Sequence, residues 1–210
     1  MLQKNLTYAV KKSYFAAEQE REDVQKQRDD YIDSIENINP DDIIVIDESG
    51  ADLKMTNDYA RAEGGERAKA PKPHIRGERY SIIGAITLTT ILAVTYTNSA
   101  INYESFKTFI ENFLIPALSP GKYVILDNVS FHKQATIIEL IESTGAKVVF
   151  LPPYSPDLSP IEKMWSKVKE MLRRDKPRTR EDFHKSLSIA LDIVSEEDLE
   201  NWYEDCGYAV

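Results

Sequence analysis

Between residues 102 and 174 the chain switches repeatedly between two apolar rhythms, and that switching leaves few folds open to it. NYESFKTFIENFLIPALS at 102–119 carries Phe106, Phe109, Ile110, Phe113 and Leu114 on one helical face, with Pro116 near its end. YVILD at 123–127 is a short, strand-length run. Residues 132–143 return to helical spacing through Ile137, Ile138, Leu140 and Ile141, and KVVFL at 147–151 is strand-like again. A helix from Pro160 to about Arg174 follows the loop PPYSPDLSP. Strands joined through helices must run parallel, because the helix carries the chain back across one face of the sheet.

The first part of the chain has a different rhythm. IIVID at 43–47 predicts a strand, and Ser81–Thr89 and Ile91–Thr97 predict a tight hairpin. The expected class is therefore α/β: a mixed sheet of three early strands, then alternating helices and parallel strands, flanked by helices. A long charged helix is expected over 13–37, with Val24, Tyr31, Ile32, Ile35 and Ile38 at helical spacing and Asn39-Pro40 ending it. Residues 50–78 read as loop, with a short strand around 52–57. Thr179 and Ser195 are good caps for two further helices. The expected organisation is an N-terminal helical segment over 1–41, a central α/β domain over 42–176 and a helical extension over 177–210.

Two strands, Ile43–Asp47 and Tyr123–Asp127, run straight into an aspartate. Ligand sites in open α/β sheets lie beyond the carboxyl ends of the strands. If the two strands are parallel neighbours, Asp47 and Asp127 stand a few ångströms apart. Two such carboxylates repel unless a cation joins them, and Mg²⁺ suits oxygen ligands of this kind. Downstream, Asp157 and Glu162 are candidates for a third acid. In Ser159-Pro160-Ile161-Glu162 the serine can cap a helix and the proline fits its first position, which puts Glu162 in the first turn. The same spacing is that of a capping box, in which the glutamate only ties down the helix start. Asp47 and Asp127 taken singly also fit ordinary turn chemistry.

Charge gives a divided message. The net charge of −9 argues against a nucleic-acid partner. Locally, however, eight Lys/Arg stand against two acids between Lys163 and Arg180, and six against three between Arg61 and Arg79. A phosphate backbone responds to such patches, although a charge run also serves as a solvated helix face. The one cysteine, Cys206, excludes an internal disulfide and a cysteine metal cage. No apolar run reaches the length of a membrane span, and MLQKNLTYAVKKSYF lacks a signal-peptide pattern. The expectation is a cytoplasmic protein, nucleoid-associated if bacterial, with no membrane partner.

Three pieces of sequence resemble the DDE-superfamily transposases: IDESG at 46–50, LDNVSFH at 126–132 and LPPYSPDLSPIEKMW at 151–165. The nearest likeness is to the mariner-related bacterial insertion-sequence branch. YARAEGGERA at 59–68 belongs to the same likeness, which covers roughly residues 43–174. Thirty-four residues lie between Asp127 and Glu162, the spacing typical of that branch. The resemblance implies an RNase H-like fold, with Asp47, Asp127 and Glu162 as the three acids. It implies two Mg²⁺ ions roughly 4 Å apart between them, replaceable by Mn²⁺, and metal-assisted cutting and joining of DNA phosphodiesters. Asn128 and His132 match the Asp-Asn…His motif, and His132 is assigned to DNA near the cut. Lys163, Lys167, Lys169, Arg173 and Arg174, with Arg61 and Arg67, are expected to hold phosphates. Trp165, one turn after Glu162, is expected to be core packing.

The resemblance further implies DNA partners, both element ends and target, and either a homodimer or pairing with a separately encoded DNA-recognition subunit. Relatives normally carry an N-terminal helix-turn-helix, whereas residues 1–42 here read mainly as one helix. The expectation is a catalytic part without that region. A cellular RNase H-like nuclease and a non-catalytic or regulatory remnant are the alternatives.

Overall fold

The computed structural model of the protein describes residues 16–57, Lys69, His74 and 78–208. Strands β1 (Ile43–Asp52), β2 (Arg79–Ile86), β3 (Ile91–Thr97), β4 (Tyr123–Leu126) and β5 (Lys147–Phe150) form one sheet in the order β3-β2-β1-β4-β5. β1, β2 and β3 pair antiparallel, and β1, β4 and β5 pair parallel. This is the mixed sheet that the sequence predicts. β1 is its hinge, antiparallel on one edge and parallel on the other.

Alternation along the strands assigns the two faces. Ile43 and Val45 of β1 and Ile125 of β4 point into a core shared with helices α1 (Glu22–Ile35), α4 (Pro160–Asp175), α5 (Arg180–Asp192) and α6 (Glu196–Asp205). Ile44, Ile46, Val124 and Leu126 point the other way, onto α2 (Tyr103–Phe109) and α3 (Ala135–Glu142). The period of two along a strand makes this division strict.

Helix α4 lies on the first face through Ile161, Met164, Trp165, Val168 and Leu172, spaced three or four apart and all fully or almost fully buried. Trp165 is core, as expected. Its ring sits over Gly84 of β2, where an added Cβ would stand 2.7 Å from Cη2. The close approach of helix to sheet therefore requires glycine there. No helix among the described residues is long and apolar enough to cross a membrane.

Several local expectations are corrected. β1 continues five residues past Asp47, because β2 supplies hydrogen-bond partners as far as Asp52↔Arg79. Asp-Glu-Ser is strand there, not turn, and Leu53–Asn57 forms no separate strand. The helix expected from residue 132 begins at Ala135. The one expected over 102–119 changes to a π turn at Ile110–Leu114 and a 3₁₀ turn at Ile115–Ala117. That extra residue per turn rotates Phe113 out of the buried stripe to 45% exposure. Ile32 of α1 is likewise exposed, while Val24, Tyr31 and Ile35 are buried.

Candidate active site

Asp47 and Asp127 come to one sheet edge by register. The parallel ladder pairs Ile43 with Tyr123, Ile44 with Val124 and Val45 with Ile125. Carried two residues further, the same offset sets Asp47 beside Asp127. Both then point to the face of Val45 and Ile125, the face that α4 covers. The first turn of α4 brings Glu162. All three acids line a single open cleft of about 360 Å³. Its other wall is the loop Leu151–Pro156, which returns from β5 to α4.

Glu162 is free to serve there because the capping box does not form. Ser159 is the N-cap of α4 but makes no side-chain cap bond. Glu162 instead meets the first turn only through its backbone N–H, which donates to the Ser159 carbonyl at 3.2 Å. Asp127 does act in a turn, accepting from the Val129 N–H at 3.1 Å through Oδ1. The turn role foreseen for that residue is present, and the same residue also lines the cleft.

The electrostatics set Asp47 and Glu162, both raised, apart from Asp127, which is lowered. Burial first, then Glu162 and Glu48, push the Asp47 carboxyl up to about 8. Its Oδ2 is buried and has no hydrogen-bond partner among the described residues. Glu162 is also raised, by burial and by Asp127, against the opposing pull of Lys169. Asp127 moves the other way: burial raises it, but His132, the Val129 N–H and Lys133 together outweigh that and hold it below the usual carboxylate range. A hard cation would relieve the repulsion and use the orphaned Asp47 oxygen, so the donor set fits Mg²⁺ or Mn²⁺. The three carboxylates nevertheless line the cleft without forming a coordination sphere. Among the described residues, no three His, Cys, Asp or Glu groups are gathered closely enough to hold a metal. The β1–β4 ladder stops at Val45↔Ile125, so no backbone pairing pins the two aspartates together.

The expected DNA contacts divide sharply. His132 is corrected: its side chain has no exposed surface and cannot reach a ligand in the cleft. It lies between Asp127 and Glu48, with Nδ1 2.6 Å from Asp127 Oδ1 and Nε2 2.8 Å from Glu48 Oε1. The Asp127 contact is close but off the line of the ring N–H, so it is an ion pair more than an aligned hydrogen bond. Burial would lower the imidazole, but the two carboxylates outweigh it and raise it to about 9. Asn128 lines the cleft, yet its amide is spent on the Leu151 carbonyl, tying the end of β4 to the end of β5.

Lys163 and Lys167 are engaged within the protein. Lys163 pairs with Asp205 at 2.6 Å, and Lys167 pairs with Asp198 and donates to the Ile193 carbonyl. Helical spacing explains why. Residues 163 and 167 share the stripe of α4 that meets α6, whereas 162, 169 and 173 share the next stripe. Lys169 and Arg173 have no salt-bridge partner among the described residues, and Arg174 meets only its neighbour Asp175, at 3.6 Å. Arg61 and Arg67 lie outside the described residues.

Glu48 is the residue that the sequence reasoning missed. A signal was available: Ile44, Ile46 and Glu48 share one face, so a carboxylate ends a buried apolar row.

A family model described as DDE superfamily endonuclease matches residues 42–184. The chain belongs to this family. No curated protein matches it. Among solved structures, this DDE endonuclease chain is similar to a Mos1 transposase paired-end complex with the left transposon end (15% identity, TM-score 0.78) and to a mariner Mos1 paired-end complex with Mg (13%, 0.79). In both, 96% of this chain is covered and the match spans 64% of the Mos1 chain, so this chain spans a little under two thirds of that length. It is also similar to the catalytic domain of Mos1 mariner transposase alone (11% identity, TM-score 0.68, covering 92% of this chain and 91% of that one). At such identities the likeness establishes the fold, which is RNase H-like, as expected.

Proposed function

We propose that the protein is the catalytic part of a DNA transposase, of the mariner-related bacterial insertion-sequence kind, that cuts and joins DNA phosphodiesters. The observation that carries this reading is that the three acids of the family pattern line one cleft, with Glu162 released from helix capping. The proline block at 151–160 and the 34-residue spacing support the branch. Structures of Mos1 with Mg and with Mn support the choice of cation. The cleft-forming domain is taken as 42–176 and the working compartment as the cytoplasm, on the nucleoid.

Asp47, Asp127 and Glu162 would hold the divalent ions, whose chemistry is activation of the attacking oxygen and stabilisation of the leaving one. Hydrolysis and joining are the same in-line displacement at phosphorus, with water as nucleophile in the first and a DNA 3′-hydroxyl in the second. Lys169 and Arg173, on the Glu162 stripe, hold the phosphate backbone beside the cut without reading sequence. The loop Leu151–Pro156 forms the wall against which the strand lies. The partners are element ends and target DNA, with a second copy or a separately encoded recognition subunit.

The test is nicking of supercoiled DNA with Mg²⁺ or Mn²⁺. Activity is expected in the parent and to fall to background in Asp47→Ala, Asp127→Ala and Glu162→Ala. A variant that nicks as well as the parent removes its residue from the site.

A further inference from the structure

We propose that Glu48 and His132 form a buried positioning pair that fixes the Asp127 carboxylate from the opposite face of the sheet. The proposal rests on the reading of Asp127 as a cation-holding residue. Its basis is geometric. Asp47 and Glu48 are neighbours in β1 and so point to opposite faces. Glu48 ends the buried row of Ile44 and Ile46, and its side chain is 18% exposed. His132 precedes α3 in a turn and turns its ring inward, with no exposed surface. Phe106 and Phe131 clamp that ring, at centroid distances of 4.1 and 4.6 Å. Aromatic rings against it on two sides and a carboxylate near each nitrogen hold the ring in place.

The consequence falls on Asp127. Its Oδ1 is held twice, by His132 Nδ1 at 2.6 Å and by the Val129 N–H at 3.1 Å. Oδ2 has neither contact and is the oxygen left to face a ligand. A carboxylate fixed through one oxygen presents the other in a set direction. Outer support of this kind, here one ion pair and one backbone hydrogen bond, orients a ligating carboxylate, and its loss costs affinity for the metal. The pair also accounts for its own burial: an imidazole and a carboxylate are costly inside an apolar face unless each completes the other. Burying them stabilises little, so their use is in direction.

Mn²⁺ binding to the purified full chain, followed by the paramagnetic resonance signal of free Mn²⁺, tests this without catalysis. His132→Asn places an amide nitrogen near the position of Nδ1, keeping the contact to Asp127. His132→Gln places one near Nε2, keeping only the contact to Glu48. Positioning predicts that His132→Gln weakens Mn²⁺ binding about tenfold and that His132→Asn largely restores it, with matched melting temperatures. Equal weakening in the two overturns the proposal, because a merely structural histidine would not distinguish them. Glu48→Gln, at a partly exposed and nearly isosteric position, provides the check that does not depend on either surviving folding. It is expected to weaken Mn²⁺ binding several-fold, and parental binding overturns the pair. Asp127→Ala separates the two levels: if it binds Mn²⁺ like the parent, the site reading itself fails, whatever the His132 variants do.

Discussion

Asp47 and Glu48 are adjacent in sequence and opposite in use. Asp47 opens into a cleft beside Asp127 and Glu162, its carboxyl raised to about 8 and one oxygen without a partner. Glu48 points to the other face and is satisfied by a fully buried imidazole. One residue's step along a strand separates an acid left uncompensated from an acid that completes a packed layer. The cleft face carries electrostatic tension and solvent access, and the α2–α3 face removes both. An α/β sheet can thus hold a reactive edge rigidly, because the face behind the edge is closed.

The largest effect expected from disturbing this contrast is at Gly84. It pairs with Asp47 across β1 and β2 and therefore shares the cleft face. A methyl group added there meets the Trp165 ring at 2.7 Å. Because Trp165 is fully buried, the ring cannot swing away without moving α4. Gly84→Ala is expected to cost about 1–3 kcal/mol, read as a lower melting temperature. Nicking should fall by more than that loss explains, since α4 carries Glu162. A variant of parental stability would mean that α4 lies on the sheet more loosely than the structure has it.

How much of this was legible beforehand varies by residue for physical reasons. The mixed character of the sheet followed from apolar periodicity, which local sequence encodes directly, whereas the strand order, with β1 beside β4, did not. Trp165 was legible too, one turn past Glu162 on the buried stripe. The length of β1 was not, because Asp-Glu-Ser-Gly has turn chemistry and only pairing with β2 overrides it. Glu162 was undecidable, since one spacing serves both a capping box and a cleft acid. His132 misled because its burial needs carboxylates from two distant strands, and no window of sequence contains both. The ion pairs of Lys163 and Lys167 were equally out of reach: their partners lie 42 and 31 residues away on α6.

Those lysines sharpen the comparison at the next size of effect. Reversing Lys169 and Arg173 together is expected to weaken DNA binding and reduce the salt dependence of log K by about two, one for each phosphate contact. Reversing Lys163 and Lys167 should leave that slope unchanged and instead lower the melting temperature, since Asp198 and Asp205 would then face like charge. Binding titrations at several salt concentrations separate the two stripes. If both pairs change the slope equally, α6 does not hold its lysines in solution and the whole basic run faces DNA.

The smallest effect concerns the wall of the cleft. Arg28 of α1 donates to Ser155 Oγ at 2.7 Å and forks onto Asp157 at 3.0 and 2.6 Å, while Gln19 bonds the Tyr154 carbonyl. Tyr154 has a left-handed backbone, φ 56°, and is half exposed at the cleft. The Arg28 guanidinium holds the Asp157 carboxyl below its ordinary value of 3.8. A carboxyl lowered on folding contributes stability that is full above that ordinary value and is lost as pH falls through the folded one. With Asp157 half exposed, solvent screens the pair, and Arg28→Ala is expected to cost under about 1 kcal/mol at neutral pH. The gap in melting temperature between parent and variant should persist down to about pH 4 and close below it. A gap that stays constant into strong acid would assign the contribution of Arg28 to Ser155 and to packing of its stem, leaving Asp157 no part in holding the wall.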